Sequence, residues 1–160
     1  MEHKALKSIR VWLGIFMVSL FISGLTAIPV DAQLSILTSL IRKDTVLYEW
    51  LYKALAAYRE VNARFPFLLY GYDWLAFAHF VLALLFIGPY HDPVRNIWVL
   101  RFGLIACFLV IPYAFIAGHF RGIPLGWRLI DCTFGVVGAL ILGPCYLATK
   151  RIETKLLQTK

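Results

Sequence analysis

The sequence predicts an all-α integral membrane protein, a four-helix bundle with an amphipathic interfacial helix between spans one and two. Three observations lead there. Of the 160 residues 61% are hydrophobic and 16% charged, with a mean hydropathy of +0.74, so there are too few polar side chains to cover a water-soluble globule. Four apolar runs, at 11–30, 68–90, 97–118 and 127–148, each reach the roughly 20 residues needed to cross a hydrocarbon core of about 30 Å. Trp12, Trp50, Trp74, Trp98 and Trp127 fall near the ends of those runs, as an aromatic belt requires. Only the 31–66 connection lies outside the spans at any length, so 1–160 reads as a single membrane domain.

Lys4, Lys7 and Arg10 precede the first run, the pattern of a cytoplasmic amino terminus. Val30 and Ala32 after Pro29 also resemble a signal-peptidase site, but the run is long enough to span, and an uncleaved anchor is expected. From Asp31 the pattern turns amphipathic. A short helix is expected over Leu34 to Ile41, then a longer one in which Leu47, Trp50, Leu51, Ala54, Leu55 and Tyr58 recur at three- and four-residue spacing. Asp44 or Thr45 would cap it, Glu49 and Lys53 would pair along it, and Pro66 would stop it. This outer segment is expected to lie along the membrane surface.

Span two opens on Tyr70, Tyr72, Asp73 and Trp74 and closes at Gly88-Pro89-Tyr90. Its one deep polar residue is His79, which shares a helical face with Tyr72, Ala76 and Ala83 and so is expected to face the bundle. Asp92 and Pro93 read as the cap and first turn of span three. That span carries Arg101 near one end, able to snorkel, and Pro112 near its middle, where a kink is expected. Span four carries Gly135, Ala139 and Gly143 at four-residue spacing, a helix-packing face whose partner is either another span or a second copy. Beyond Pro144 the basic tail, 149–160, interleaves Lys150, Arg151, Lys155 and Lys160 with Ile152, Leu156 and Leu157, as an extension along the inner leaflet would. Nine lysines and arginines fall on the side of the termini and seven on the other, of 16 in all, which puts both termini in the cytoplasm.

The net charge of +7 is spread over termini and loops with no stripe that could follow a phosphate backbone, so nucleic acid is not expected and anionic lipid is the natural partner. Cys107, Cys132 and Cys145 give no CxxC. The last two would stand about 20 Å apart on one helix, which provides neither a disulfide nor a zinc framework. No metal or other cofactor is expected.

The polar hinge GHFRGIPLGWRLIDC, 118–132, lies between spans three and four. With both termini inside, Asp73, His119, Arg121, Arg128 and Asp131 come to similar depth at the outer rim. Arg128 and Asp131, three residues apart on one face, are expected to pair, and Asp73 to meet Arg121 or Arg128. The first reading of the five is an ion-paired rim that fixes the span ends. The second is a site for an anionic headgroup, with guanidinium groups as the grip and His119 as a proton carrier. A haem between His79 and His119 is disfavoured by an offset of about 10 Å along the helices, and no catalytic motif of known mechanics is present.

The segments GYDWLAFAHF (71–80), HDPVRN (91–96) and RGIPLGWRLIDC (121–132) resemble a family of small uncharacterised bacterial membrane proteins. The resemblance covers roughly the second half of the chain; it implies a bacterial inner-membrane origin and transfers no site residues. The functional expectation is a non-enzymatic accessory or assembly protein, acting with itself or with a membrane protein partner. The alternatives are an anionic-lipid binder or membrane enzyme using the rim, and an oligomeric proton- or ion-coupled transporter.

Overall fold

The computed structural model describes residues 2–158, so Lys160 of the basic tail lies outside the described residues. Among them the chain is helical throughout, without strands: α1 is Glu2–Thr26, α2 Val30–Leu40, α3 Val46–Arg64, α4 Tyr70–Leu85, α5 Ile87–His91, α6 Ile97–Phe120 and α7 Leu125–Gln158, with a 3₁₀ turn at Pro66–Leu69 before α4. Among the described residues four helical stretches are long and apolar enough to cross a membrane: Lys4–Thr26, Pro66–His91, Ile97–Phe120 and Leu125–Gln158. The chain is a multi-pass membrane protein. Large apolar side chains point outward along all four, Phe108 at 64% and Leu140 at 70% exposed, which water would penalise and lipid does not.

Each break has a local cause. α1 ends at Thr26, short of the sequence estimate of 30, because the turn into Pro29 removes a backbone donor. Thr45 caps α3, its hydroxyl accepting from the Tyr48 amide at 3.2 Å. Pro66 sits in the first position of the 3₁₀ turn that ends α3 and leads into α4. Asp92 caps a turn rather than α6 itself: its Oδ1 accepts from the Arg95 amide at 3.0 Å, and α6 starts only after Asn96, whose side chain donates back to the Gly88 and Asp92 carbonyls. At the far end of α6, Gly122 takes φ +64° and the Ile123 amide bonds the Gly118 carbonyl at 2.9 Å, a Schellman stop that favours glycine. α7 runs unbroken through Pro144 to Gln158, so the tail continues the fourth span.

Packing is unequal. α6 and α7 form the most extensive pair, α1 packs on both α4 and α7, and α4 and α6 lie mainly against α1 and α7 respectively. Small residues allow the close approaches. A side chain at Gly135 would overlap the Cys107 backbone carbonyl, one at Gly138 the Cys107 sulfur at 2.6 Å, and one at Gly24 the Ala76 carbonyl at 2.9 Å. The core gathers toward the end that carries the termini, around Leu13, Phe16, Phe86, Leu100 and Leu142. There Arg10 donates to the Tyr90 and His91 carbonyls at 3.2 and 3.1 Å, tying α1 to the exposed end of α5. The opposite end, where the 120–125 hinge and the 26–30 turn lie, is packed more loosely.

At that hinge end α2 packs on α3, and Asp31 receives two hydrogen bonds from Arg59, at 2.6 and 3.1 Å, while Arg59 also reaches Ser35 at 2.9 Å. The Arg59 hydrogen bond holds the Asp31 carboxyl below its ordinary value, with the charge attraction adding to it. A carboxyl made more acidic by folding stabilises above its unfolded pKa, about 3.9, and that contribution disappears as pH falls through the still lower folded value. The protection of α2 amides, their exchange rate relative to that of the unfolded chain at the same pH, is therefore expected to stay constant through the neutral range and to fall only below about pH 4. A loss of protection already near about pH 6 would assign the tether to another group.

Candidate functional site

The loose end of the molecule encloses a cavity of about 760 Å³ between α1, α4, α6 and α7, with Gln33 of α2 at its edge. Its floor is the ring pair Phe16 and Phe86, edge to face at 4.8 Å, and its walls are mostly apolar. One face of α1 lines it with Ser19, Ser23 and Thr26, α4 contributes Leu75, His79 and Leu82, and α7 contributes Asp131 and Thr133. α4 and α6 both line the cavity, while their extensive contacts are with α1 and α7 and the Phe86 ring at the end of α4 reaches Gly103 of α6.

Three of the polar groups share a depth. A side chain at Gly24 would meet the His79 β-carbon at 3.0 Å, so Ser23 and His79 are level. One at Gly138 would meet the Phe16 ring at 3.5 Å. Seven residues from each toward the hinge stand Ser23 and Asp131, the same distance of about 10 Å along antiparallel helices. Within this band His79 Nδ1 donates to the Leu75 carbonyl at 2.8 Å. In the neutral ring this places the proton on Nδ1 and leaves Nε2 as an acceptor. Asp131, half-buried, takes part in no hydrogen bond or ion pair among the described residues.

The five residues expected at one rim are thereby distributed. Asp131 lines the cavity with His79. Arg128, expected to pair with Asp131, instead donates its Nε to the Ile123 carbonyl at 2.7 Å, and its stem lies where a side chain at Gly118 would meet it at 2.8 Å. The physical reason is the hinge itself, which turns an unpaired carbonyl toward the guanidinium. Asp73 lines a second, smaller cavity and pairs with neither Arg121 nor Arg128; among the described residues no ion pair joins any of the five. His119 lies beside the Phe120 ring at 5.7 Å in the last turn of α6, outside the cavity, and Arg121 is the exposed C-cap of that helix. His79 and His119 thus do not share a site.

Of the packing face, Gly135 is consumed inside the chain, Ala139 is half-buried against the core, and Gly143 has open space around it. Sequence reasoning overlooked Ser19, Ser23, Thr26 and Gln33. The available signal was the spacing of the first three, four and then three residues apart on an otherwise apolar span, which marks one polar stripe. Hydroxyls in spans are easily overlooked, since they bond their own backbone, as Ser19 does to the Ile15 carbonyl at 2.9 Å. No protein-family model, curated protein or solved structure matches the chain.

Proposed function

We propose that this protein binds an amphipathic small molecule within the membrane, with the ligand's apolar body in the cavity and a hydrogen-bond-donating head, such as a hydroxyl, at the band of Ser23, His79 and Asp131. The observation that carries the reading is the unpartnered Asp131 in an apolar cavity between the spans. Ionisable groups inside a membrane are costly and mark functional sites by default. The size lies within the roughly 300–1,000 Å³ of small-molecule sites, whose walls are likewise apolar with a few placed polar groups. His79 Nε2 and the Asp131 carboxylate both accept hydrogen bonds, so they select a donor. A ligand dissolved in the bilayer enters between α4 and α6, whose extensive contacts are with other helices.

In this reading α1, α4, α6 and α7 cross a bacterial inner membrane as a four-helix bundle. Both termini are cytoplasmic, on the side of Lys4, Lys7, Arg10, Lys150 and Arg151. The α2–α3 pair lies along the opposite surface, its Leu51 and Leu55 turned inward. A second reading, the accessory or assembly protein, is favoured by Gly143, whose open surroundings leave room for a helix from another chain.

The test is native mass spectrometry of the full chain released from nanodiscs made with total bacterial lipid. The expected result is one retained amphiphile per chain, absent from Ser23→Trp, whose indole fills the band. An empty chain, or equal retention by Ser23→Trp, overturns the proposal.

A further inference from the structure

A second cavity, of about 430 Å³, lies at the hinge end between α3, the 3₁₀ turn and the start of α4, and shares no residue with the first. Its lining includes Tyr58, Asn62, Phe67, Tyr70, Tyr72 and Asp73. We propose that it recognises an organic ammonium group, with the tyrosine rings as the cage and Asp73 as the counter-charge.

The argument starts from charge. Asp73 is exposed and forms no ion pair among the described residues, in a chain of net charge +7. The two arginines in the second half of α3 do not serve it, because Arg59 is held by Asp31 at 2.6 Å and Arg64 faces Glu60 at 3.7 Å. The position of Asp73 in the first turn of α4 suits the helix dipole but uses none of its lone pairs. A carboxylate excludes an anionic ligand and calls for a cation.

The rings decide which cation. Tyr58 and Tyr72 meet edge to face, centroids 6.2 Å apart and planes at 70°, and both line the space together with Tyr70 and Phe67. Aromatic faces attract alkylated ammonium groups, which shed water easily. One carboxylate and one amide, from Asp73 and Asn62, are too few hard oxygen ligands for calcium, which takes six to eight. The chemistry is that of a primary to quaternary alkylammonium, supplied either by a zwitterionic lipid headgroup or by a free amine.

In a background with Trp12, Trp50, Trp98 and Trp127 replaced by phenylalanine, Trp74, whose ring lies 5.9 Å from that of Tyr70, provides a fluorescence reporter. The full chain in phosphatidylglycerol nanodiscs is titrated with tetramethylammonium, against sodium at equal ionic strength. Saturable quenching by tetramethylammonium alone is expected, weakened about ten- to hundredfold in Asp73→Asn and about fivefold in Tyr72→Leu, and unchanged in Tyr72→Phe, which keeps the ring face. The Tyr72 pair decides the matter even where Asp73→Asn folds poorly. Repeating the titration in phosphatidylcholine nanodiscs separates the sources: competition assigns a lipid headgroup, and unchanged affinity a free amine. No saturable response, or equal responses from Tyr72→Leu and Tyr72→Phe, overturns the proposal.

Discussion

Gly135→Val is expected to destabilise the protein by about 3 kcal/mol or more, while Gly143→Val, eight residues along the same helix, is expected to leave its stability nearly unchanged. The difference lies in what each side chain meets. A β-carbon at Gly135 overlaps the Cys107 backbone carbonyl, and one at Gly143 meets nothing within 4 Å. Backbone cannot rotate away as a side chain can, so valine at 135 must push α6 from α7 and open the most extensive helix contact in the molecule. Overpacking typically costs about 1–3 kcal/mol, and the expected loss is at or above the upper end because the gap propagates to Gly138 and Leu142 on the same face. For Gly143→Val the change is within about 0.5 kcal/mol. Reversible unfolding in bilayers, read for both variants, checks this. Equal damage from the two would mean that Gly143 also faces a neighbour, the result the accessory reading requires.

The punctuation of this chain was legible in its sequence because it acts locally. Pro29, Thr45, Pro66 and Asp92 each shape the backbone within a few residues, and the structure breaks near all of them. The apolar runs were legible for the same reason, each span carrying its own hydropathy. What was not legible depends on which helices become neighbours. Arg128 and Asp131 look like an ion pair at three-residue spacing, yet a carbonyl presented by the Gly122 turn takes Arg128 first. The helix-packing face was read at four-residue spacing as Gly135, Ala139 and Gly143. The close contacts use Gly135 and Gly138, because successive turns of α7 rest on the carbonyl and the sulfur of Cys107. The cavity follows from α4 choosing α1 over α6, a property of no single segment.

Asp131→Leu is expected to stabilise the empty protein and to lose the gain that ligand gives the unmodified chain, and this combination separates a binding carboxyl from a structural one. In the empty protein Asp131 has no partner among the described residues and sits six residues into α7, about 9 Å from its start. An aspartate at a span centre costs about 2.5–3.5 kcal/mol on insertion scales, and less toward the interface. Leucine there should therefore stabilise the empty chain by about 1–3 kcal/mol. With the amphiphile present at about a hundredfold over its Kd, the unmodified chain should gain about 2.7 kcal/mol from binding, and Asp131→Leu should gain almost none. Had the aspartate held the rim together, its removal would lower stability in both states, since a broken pair leaves the other charge unpaired. Thermal unfolding in nanodiscs of a single synthetic lipid, without or with the lipid extract added, reads all four values. A destabilised empty Asp131→Leu would return Asp131 to the architecture of the span ends. A stabilised one that no longer responds to lipid means that the fold carries the cost of this carboxyl for the sake of the ligand.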